Sequence, residues 1–285
     1  MSPTLTLREG KLADTLADLQ ARVRSDPADA KHRIFLFELL SVLGQWERAL
    51  TQLEVAGELN ASALAMVQTY REALRCEALR AEVFAGRRSP LVFGQPEQWV
   101  ALMIEALRLS ADGQHAQAEE LRASALEAAP GTPGRLRLAS PGGAADVPGP
   151  LEPFEWIADA DSRLGPLLEA IVNGRYYWIP FRNIRAIRVE PPADLRDLVW
   201  MPASFQWANG GEAVGLVPTR YPGSEASEDD AIRLGRRTDW IESAPRTFAG
   251  LGQRMLATEG GEVALMDLRR LELDAPAAEA PGAHA

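Results

Sequence analysis

Two aspartates one residue apart, Asp159 and Asp161 in the string WIADADS, are the nearest thing in this chain to a catalytic pair. On an extended segment alternate side chains face the same way, so the two carboxylates would share a site and divide the roles of acid and base. The competing reading makes Asp161 the N-cap of a helix and puts Asp159 in the preceding turn, because Leu164, Leu167, Leu168 and Ile171 follow at helical spacing. Other chemistries lack their parts. The histidines, His32, His115 and His284, are scattered, and no His, Cys and carboxylate spacing suits a metal. Ser-His-Asp catalysis would need a histidine in the second half, which has only His284 in the terminal stretch, and neither a Walker A nor a G-x-G-x-x-G string occurs. Cys76, the single cysteine, lies in an apolar helical pattern and reads as a buried, inert thiol in a reducing compartment. No cofactor is expected.

A net charge of −10 and a pI near 5.0 oppose affinity for nucleic acid or for an anionic membrane surface, both of which need a positive field. The first residues carry charge and lack an apolar signal core, and no stretch approaches the roughly 18 apolar residues of a membrane span, so a soluble cytoplasmic chain is expected. Two charged or aromatic clusters are candidates for binding. In GSEASEDDAIRLGRRTDW the acidic run Glu225 to Asp230 adjoins Arg233, Arg236 and Arg237, which would either hold an anionic partner segment or close an internal ion-pair network. Tyr176, Tyr177, Trp178 and Phe181 would form a binding platform, or a strand whose alternation buries some of the rings and exposes the others.

The elements that must position these residues fall into two textures. From Leu5 to Ala129 the apolar spacing is helical, and glycines open similar strings: GKLADTL at Gly10 and GQWERAL at Gly44 are 44 − 10 = 34 residues apart. Asp26-Pro27 and Asn60-Ala61 keep the same interval, and GQHAQAEEL begins at Gly113, 69 residues past Gly44. A 34-residue period is that of tetratricopeptide-like helix pairs, which bury their apolar faces only by stacking. The helix from Ala28 to Leu43 is apolar nearly all round, and RRSPLVFGQP interrupts the array after Gly86.

Residues 131–153 are dense in proline and glycine and read as a linker, with a short strand possible at Arg135 to Leu138. Beyond it come short β-rich runs, hairpin turns at Asn209-Gly210-Gly211 and Glu259-Gly260-Gly261, and one expected helix from Ser162 to Val172. The expected fold is α+β: a tetratricopeptide-like helical domain over 1–130, a linker over 131–153, a mostly antiparallel α+β domain over 154–274 and a flexible tail over 275–285. A groove lined by the first helix of each pair would receive a partner helix. Phe35, Phe37, Tyr70 and Trp99 are the expected anchors on the helices, with Tyr176, Arg233, Arg236 and Arg237 on the second domain.

Longer strings carry a family resemblance. LGQWERAL, EPFEWIADADSRLGPLLEAIVNGRYYWIPF, PPADLRDLVWMPA, VPTRYPGSE and LGRRTDW, in this order over nearly the whole chain, resemble the ImpE, SciE or TagJ family. The resemblance implies a non-enzymatic, virulence-associated accessory protein of bacterial type VI secretion. It would bind the N-terminal helix of the small contractile-sheath subunit, TssB, and influence sheath handling by the disassembly ATPase ClpV. The family offers no catalytic motif to carry over. The alternatives from the residues themselves are an enzyme using Asp159 and Asp161, and a scaffold that works only as an oligomer.

Overall fold

Asp29 caps the helix that the sequence makes apolar nearly all round: its carboxylate accepts hydrogen bonds from the backbone N–H groups of Lys31 (2.7 Å) and His32 (3.3 Å), satisfying donors that the first turn leaves free. The computed structural model describes residues 11–95, 97–140, 149–244 and 246–274. Its helical half comprises α1 (Leu12–Ser25), α2 (Ala30–Val42), α3 (Trp46–Leu59), α4 (Leu64–Phe84), α5 (Gln98–Ala111) and α6 (His115–Ala128). The corners joining α2 to α3 and α5 to α6 are built alike. Gly44 and Gly113 take left-handed φ values of +66° and +77°. In the first, Gly44 N–H bonds Ser41 C=O and Gln45 N–H bonds Leu40 C=O; in the second, Gly113 bonds Ser110 and Gln114 bonds Leu109, each partner 69 residues on. The echo between Gly44 and Gly113 is therefore one of corner geometry, while Gly10, which opens the first string, lies outside the described residues.

The second half is built on a nine-stranded sheet in the order β1-β6-β5-β9-β8-β7-β14-β2-β3. Its strands are β1 (Leu91–Val92), β2 (Gly134–Leu138), β3 (Glu152–Phe154), β5 (Leu167–Val172), β6 (Arg175–Pro180), β7 (Ile184–Val189), β8 (Trp200–Trp207), β9 (Glu212–Pro218) and β14 (Leu268–Leu273). All neighbours are antiparallel except β1 and β6. A hairpin of β10 (Thr238–Ala244) and β11 (Thr247–Gly252), and a small sheet of β4 (Ala158–Asp159), β12 (Met255–Thr258) and β13 (Gly261–Ala264), complete it.

Three expectations change. The helix expected at Ser162 to Val172 is a turn followed by β5, because all six residues of LLEAIV are buried, as in a strand covered on both faces, and Asn173 and Gly174 at φ +50° and +70° close a tight hairpin into β6. The stretch 131–153 supplies β2 and most of β3 to the sheet, although 141–148 and the expected tail 275–285 lie outside the described residues. RRSPLVFGQP is no mere loop: its Leu91 and Val92 pair with Tyr177 and Trp178 of β6.

The sheet has two differently covered faces. One packs Leu167, Ile171, Tyr176, Trp178, Trp200 and Leu216 against the helices in a shared core, and the other gathers Leu168, Ile179, Ile187, Met201 and Phe205 in a second core with Ile157, Leu256 of β12 and Leu265. A ladder of rings ties the halves together: Phe37 to Tyr70 at 5.8 Å, Tyr70 to Trp200 and Trp46 to Trp200 both at 5.9 Å between centroids. The inner face of α2 and α4 is thus filled by Trp200 together with Leu195 and Val199 of the 3-10 turn before β8.

Candidate functional site

Glu169 lies in the middle of β5 with no exposed surface, and a carboxylate there persists only if it is fully paired. Arg80 of α4 supplies a fork, with Nε to Oε1 at 2.7 Å and Nη2 to Oε2 at 3.0 Å. Arg254, which immediately precedes β12, pairs its Nη2 with Glu169 and its Nη1 with Asp159 and donates from Nε to the Pro218 carbonyl at 2.9 Å. The Tyr176 hydroxyl donates to Glu169 and accepts from Trp178 Nε1 at 2.8 Å. Arg80 also donates to the Arg220 carbonyl (2.8 Å) and lies 3.5 Å from Glu77, which accepts from Trp200 Nε1 at 2.7 Å. Side chains from α4, β4, β5 and the start of β12 thereby form one closed ionic network that fastens the helices to the sheet.

Burial raises the Glu169 carboxyl, but Arg80 and Arg254 outweigh it and hold the group down at about 2. Burial pushes Asp159 up to about 6 against the pull of Arg254. Arg220 is lowered to about 10 by burial, its Nη1 donating to the Val42 carbonyl at 2.8 Å. The Cys76 thiol is pushed up to about 12 by burial, which removes its nucleophilic form at neutral pH.

Asp159 and Asp161 do adjoin, but in structural employment. Asp159 Oδ1 accepts from the Asp161 N–H (2.9 Å) and the Tyr221 hydroxyl (3.1 Å), while its other oxygen faces Arg254. Asp161 accepts the N–H groups of Arg163 and Gly250, both at 2.9 Å, and a guanidinium fork from Arg163. The helix N-cap expected of Asp161 is instead a turn cap, since no helix follows it. Among the described residues no group of three or more His, Cys, Asp or Glu is arranged to hold a metal ion, and no helix is long and apolar enough to cross a membrane.

The residues expected at the docking surface divide. Phe37, Tyr70, Trp99 and Tyr176 are buried in the core shared by helices and sheet, with Phe35 half-buried against it. Their faces are covered by the chain's own sheet and turns. Arg233, half-buried, pairs with Asp230 at 3.3 Å, and Arg237, exposed, pairs with Asp229 at 2.8 Å and Asp239 at 2.7 Å. Arg236 is exposed beside them. The acidic run also works inward: Asp230 Oδ2 accepts the Leu12 N–H at 3.0 Å, capping α1. The aromatic run is core on both faces, with Tyr176, Trp178 and Phe181 buried and Tyr177 half-buried.

Open concave surface lies elsewhere. A mainly apolar cleft of about 560 Å³ runs between the end of α6 and the approach to β4, with Leu126, Ala129, Trp156, Ile157 and Pro166 in its walls. Leu126 and Trp156 are 45% and 40% exposed and stand on the same cleft. The cleft reaches Asp159, whose carboxylate is already occupied by the partners given above.

Fold and site together define an α+β protein in which a helical layer is locked onto a nine-stranded sheet by buried ion pairs, with its free apolar surface in clefts at the seams. A family model described as ImpE protein matches residues 152–272. The chain is 53% identical over 268 residues, 94% of its own length and 89% of the relative's, to the type VI secretion system accessory component TagJ of Pseudomonas aeruginosa. It superposes with a TM-score of 0.81, at 26% identity, on the crystal structure of protein VPA1032 from Vibrio parahaemolyticus, with 96% of this chain and 97% of that one covered. The chain belongs to the ImpE/TagJ family.

Proposed function

We propose that this chain is a cytoplasmic, non-enzymatic accessory component of a type VI secretion system, working by docking rather than turnover. Its partner is the N-terminal helix of the small contractile-sheath subunit, and the encounter modulates how the sheath is handed to the ClpV disassembly ATPase. The observation that carries this reading is the 53% identity to an accessory component of that system across 94% of the chain. The saturation of Asp159, Asp161 and Glu169 by internal partners supports it, since none retains a free oxygen for a substrate proton in the described geometry.

The helix pairs, read as tetratricopeptide-like, do not offer their inner groove, because Trp200 and its neighbours occupy it. The cleft between α6 and Trp156 is the docking place we assign, with Leu126 and Trp156 as lips for apolar residues at i, i+3, i+4 and i+7 of the incoming helix. The division into a helical domain over 1–130 and an α+β domain over 154–274 belongs to the same proposal, the two acting as one body through their common core. Calorimetric titration with a peptide of the sheath subunit's N-terminal helix tests it. Micromolar binding lost in Leu126→Arg, at unchanged melting temperature, is expected; no heat with the unaltered protein refutes the partner, and undiminished binding by Leu126→Arg refutes the cleft.

A further inference from the structure

The sheet face that receives the helices continues beyond their cover, and there it changes character. Register places Arg137, Arg270 and Arg188 directly opposite one another across β2, β14 and β7, followed by Ser204 of β8 and Val214 of β9 in the same row. These positions share a face with Trp200 and Leu216, since all are separated by even steps along paired strands. The buried partners Leu136, Leu271, Ile187 and Phe205 point the other way, into the second core. Adjacent strands are about 4.8 Å apart, so three guanidinium stems stand side by side, an arrangement that opposes folding when like charges face each other. Arg135 stands one row further on, beside Glu272.

Neither Arg135, Arg137 nor Arg188 has a carboxylate within ion-pairing distance among the described residues; Arg270 pairs with Glu272 on its own strand. Arg185 donates to the Leu273 carbonyl at 2.8 Å. A groove of about 700 Å³ lies over the Arg188 and Arg270 end of the row and reaches Arg135 and Arg185, with Glu212, Glu272 and Asp274 as its acidic lining, while Arg137 stands beside it. The groove meets a second cleft of about 680 Å³ between α4 and the sheet, with Ile171, Pro202, Val214 and Leu216 on its sheet side and Gln68, Thr69 and Glu72 of α4 across from them. Val214 belongs to both and is 72% exposed. On a chain of net charge −10, an arginine row continuous with an apolar trough is a local exception that a uniform solvated surface does not explain.

We infer that this face docks a short carboxylate-rich segment of a partner protein, with apolar side chains of the segment seated around Val214 and its carboxylates on Arg137, Arg188 and Arg270. Charge complementarity selects the sign, and the trough selects a peptide over a polyanion. A nucleic acid or an anionic membrane needs an extended positive field, which a row of three arginines edged by Glu212, Glu272 and Asp274 on a chain of net charge −10 does not supply, whereas a short acidic segment needs only the row itself. The surface is separate from the cleft at Trp156, so the inference stands whether or not the sheath helix binds there.

The test is fluorescence anisotropy of the full chain with a labelled twelve-residue Glu/Leu peptide, a Lys/Leu peptide of the same pattern and a twenty-nucleotide single strand. The expected result is selective binding of the Glu/Leu peptide, weakened by salt and by about tenfold in the double variant Arg188→Glu, Arg270→Glu. Arg188→Gln supplies a second readout: because Arg188 makes no ion pair, its melting temperature should not fall, while peptide affinity should. Equal binding of the Lys/Leu peptide, tighter binding of the nucleic acid, no binding at all, or affinity unchanged in the double variant overturns the inference. A fall in melting temperature in Arg188→Gln without loss of affinity does the same.

Discussion

Replacing Glu169 by glutamine keeps the shape of the side chain while removing the charge that two buried guanidinium groups face. The unaltered carboxylate accepts a fork from Arg80, one bond from Arg254 and one from the Tyr176 hydroxyl, with no exposed surface through which water could substitute. Removing one member of such a buried arrangement costs about 3–5 kcal/mol, since the remaining charges stay desolvated. Arg254 keeps Asp159, but Arg80 is left with Glu77 at 3.5 Å, and the glutamine amide turns a donor toward one of the arginines. With a urea slope of about 3 kcal/mol per molar, that loss lowers the unfolding midpoint by about 1–1.7 M. Tryptophan fluorescence is the assay, because Trp178 and Trp200 are wholly buried and each donates its Nε1–H to a side chain that contacts the network. A companion variant, Arg80→Met with Glu169→Leu, removes both charges and should be less damaged than the sum of the single changes, with a coupling of about 2 kcal/mol. The acid limb of stability gives an independent check. The folded carboxyl lies at about 2, below its unfolded value, so its contribution is full above about 4.5 and is lost as pH falls toward 2, a loss Glu169→Gln should not show. A midpoint shift below about 0.3 M would refute the view of Glu169 as the centre of the fastening network.

Two further outcomes follow from neighbouring groups. Glu38 of α2 is pushed up to about 7 by burial, with Arg196 opposing, so its sign is the reverse: the stability it confers is full below about 4.5 and lost as pH rises through 7, by about 3 kcal/mol in all. Glu38→Gln should flatten that limb in thermal unfolding followed between pH 4 and 8. Asp161→Ala removes the acceptor of the buried Gly250 N–H and of the Arg163 N–H, and should cost about 2–4 kcal/mol in denaturant unfolding. An unchanged midpoint would return Asp161 to the list of groups held ready for chemistry.

The helical half was legible because its signals are local. Gly44 and Gly113 act within four residues of themselves, and the glycine strings that open there mark corners that share their hydrogen bonds, whereas the cap of α2 falls at Asp29 rather than at the Asp26-Pro27 step that the sequence suggests. Hairpin turns at Asn209-Gly210 and Glu259-Gly260 were legible for the same reason, each joining adjacent strands of one sheet. β5 was not, although Asn173-Gly174 is an equally strong signal. Its run LLEAIV is apolar on both faces but for Glu169, so helical and extended periods fit it alike, and the hairpin turn was the feature able to decide between them. β1 escaped for a different reason: two residues carry no periodicity, and their pairing depends on β6, 86 positions away, because 177 − 91 = 86.

The site was less legible than the fold because its parts are joined only by topology. Glu169 is 89 residues from Arg80 and 85 from Arg254. The one local cue was a lone carboxylate inside an apolar run, which demands a buried cation without saying where in the chain it comes from. The inner face of α2 posed the same problem in apolar form. Periodicity identifies a face that must be covered, but a partner's helix and the chain's own Trp200 leave the same mark on it. Exposed charge is more informative. RLRL and IRV alternate arginine with leucine, isoleucine or valine at a period of two, while LRRLEL breaks the alternation with two adjacent arginines where the register shifts, and a strand read this way sets its arginines opposite the core-facing residues. Only the strand order, with β2, β14 and β7 side by side, turns three separate strings into one row, and it is the row, rather than any residue in it, that selects the charge of a partner.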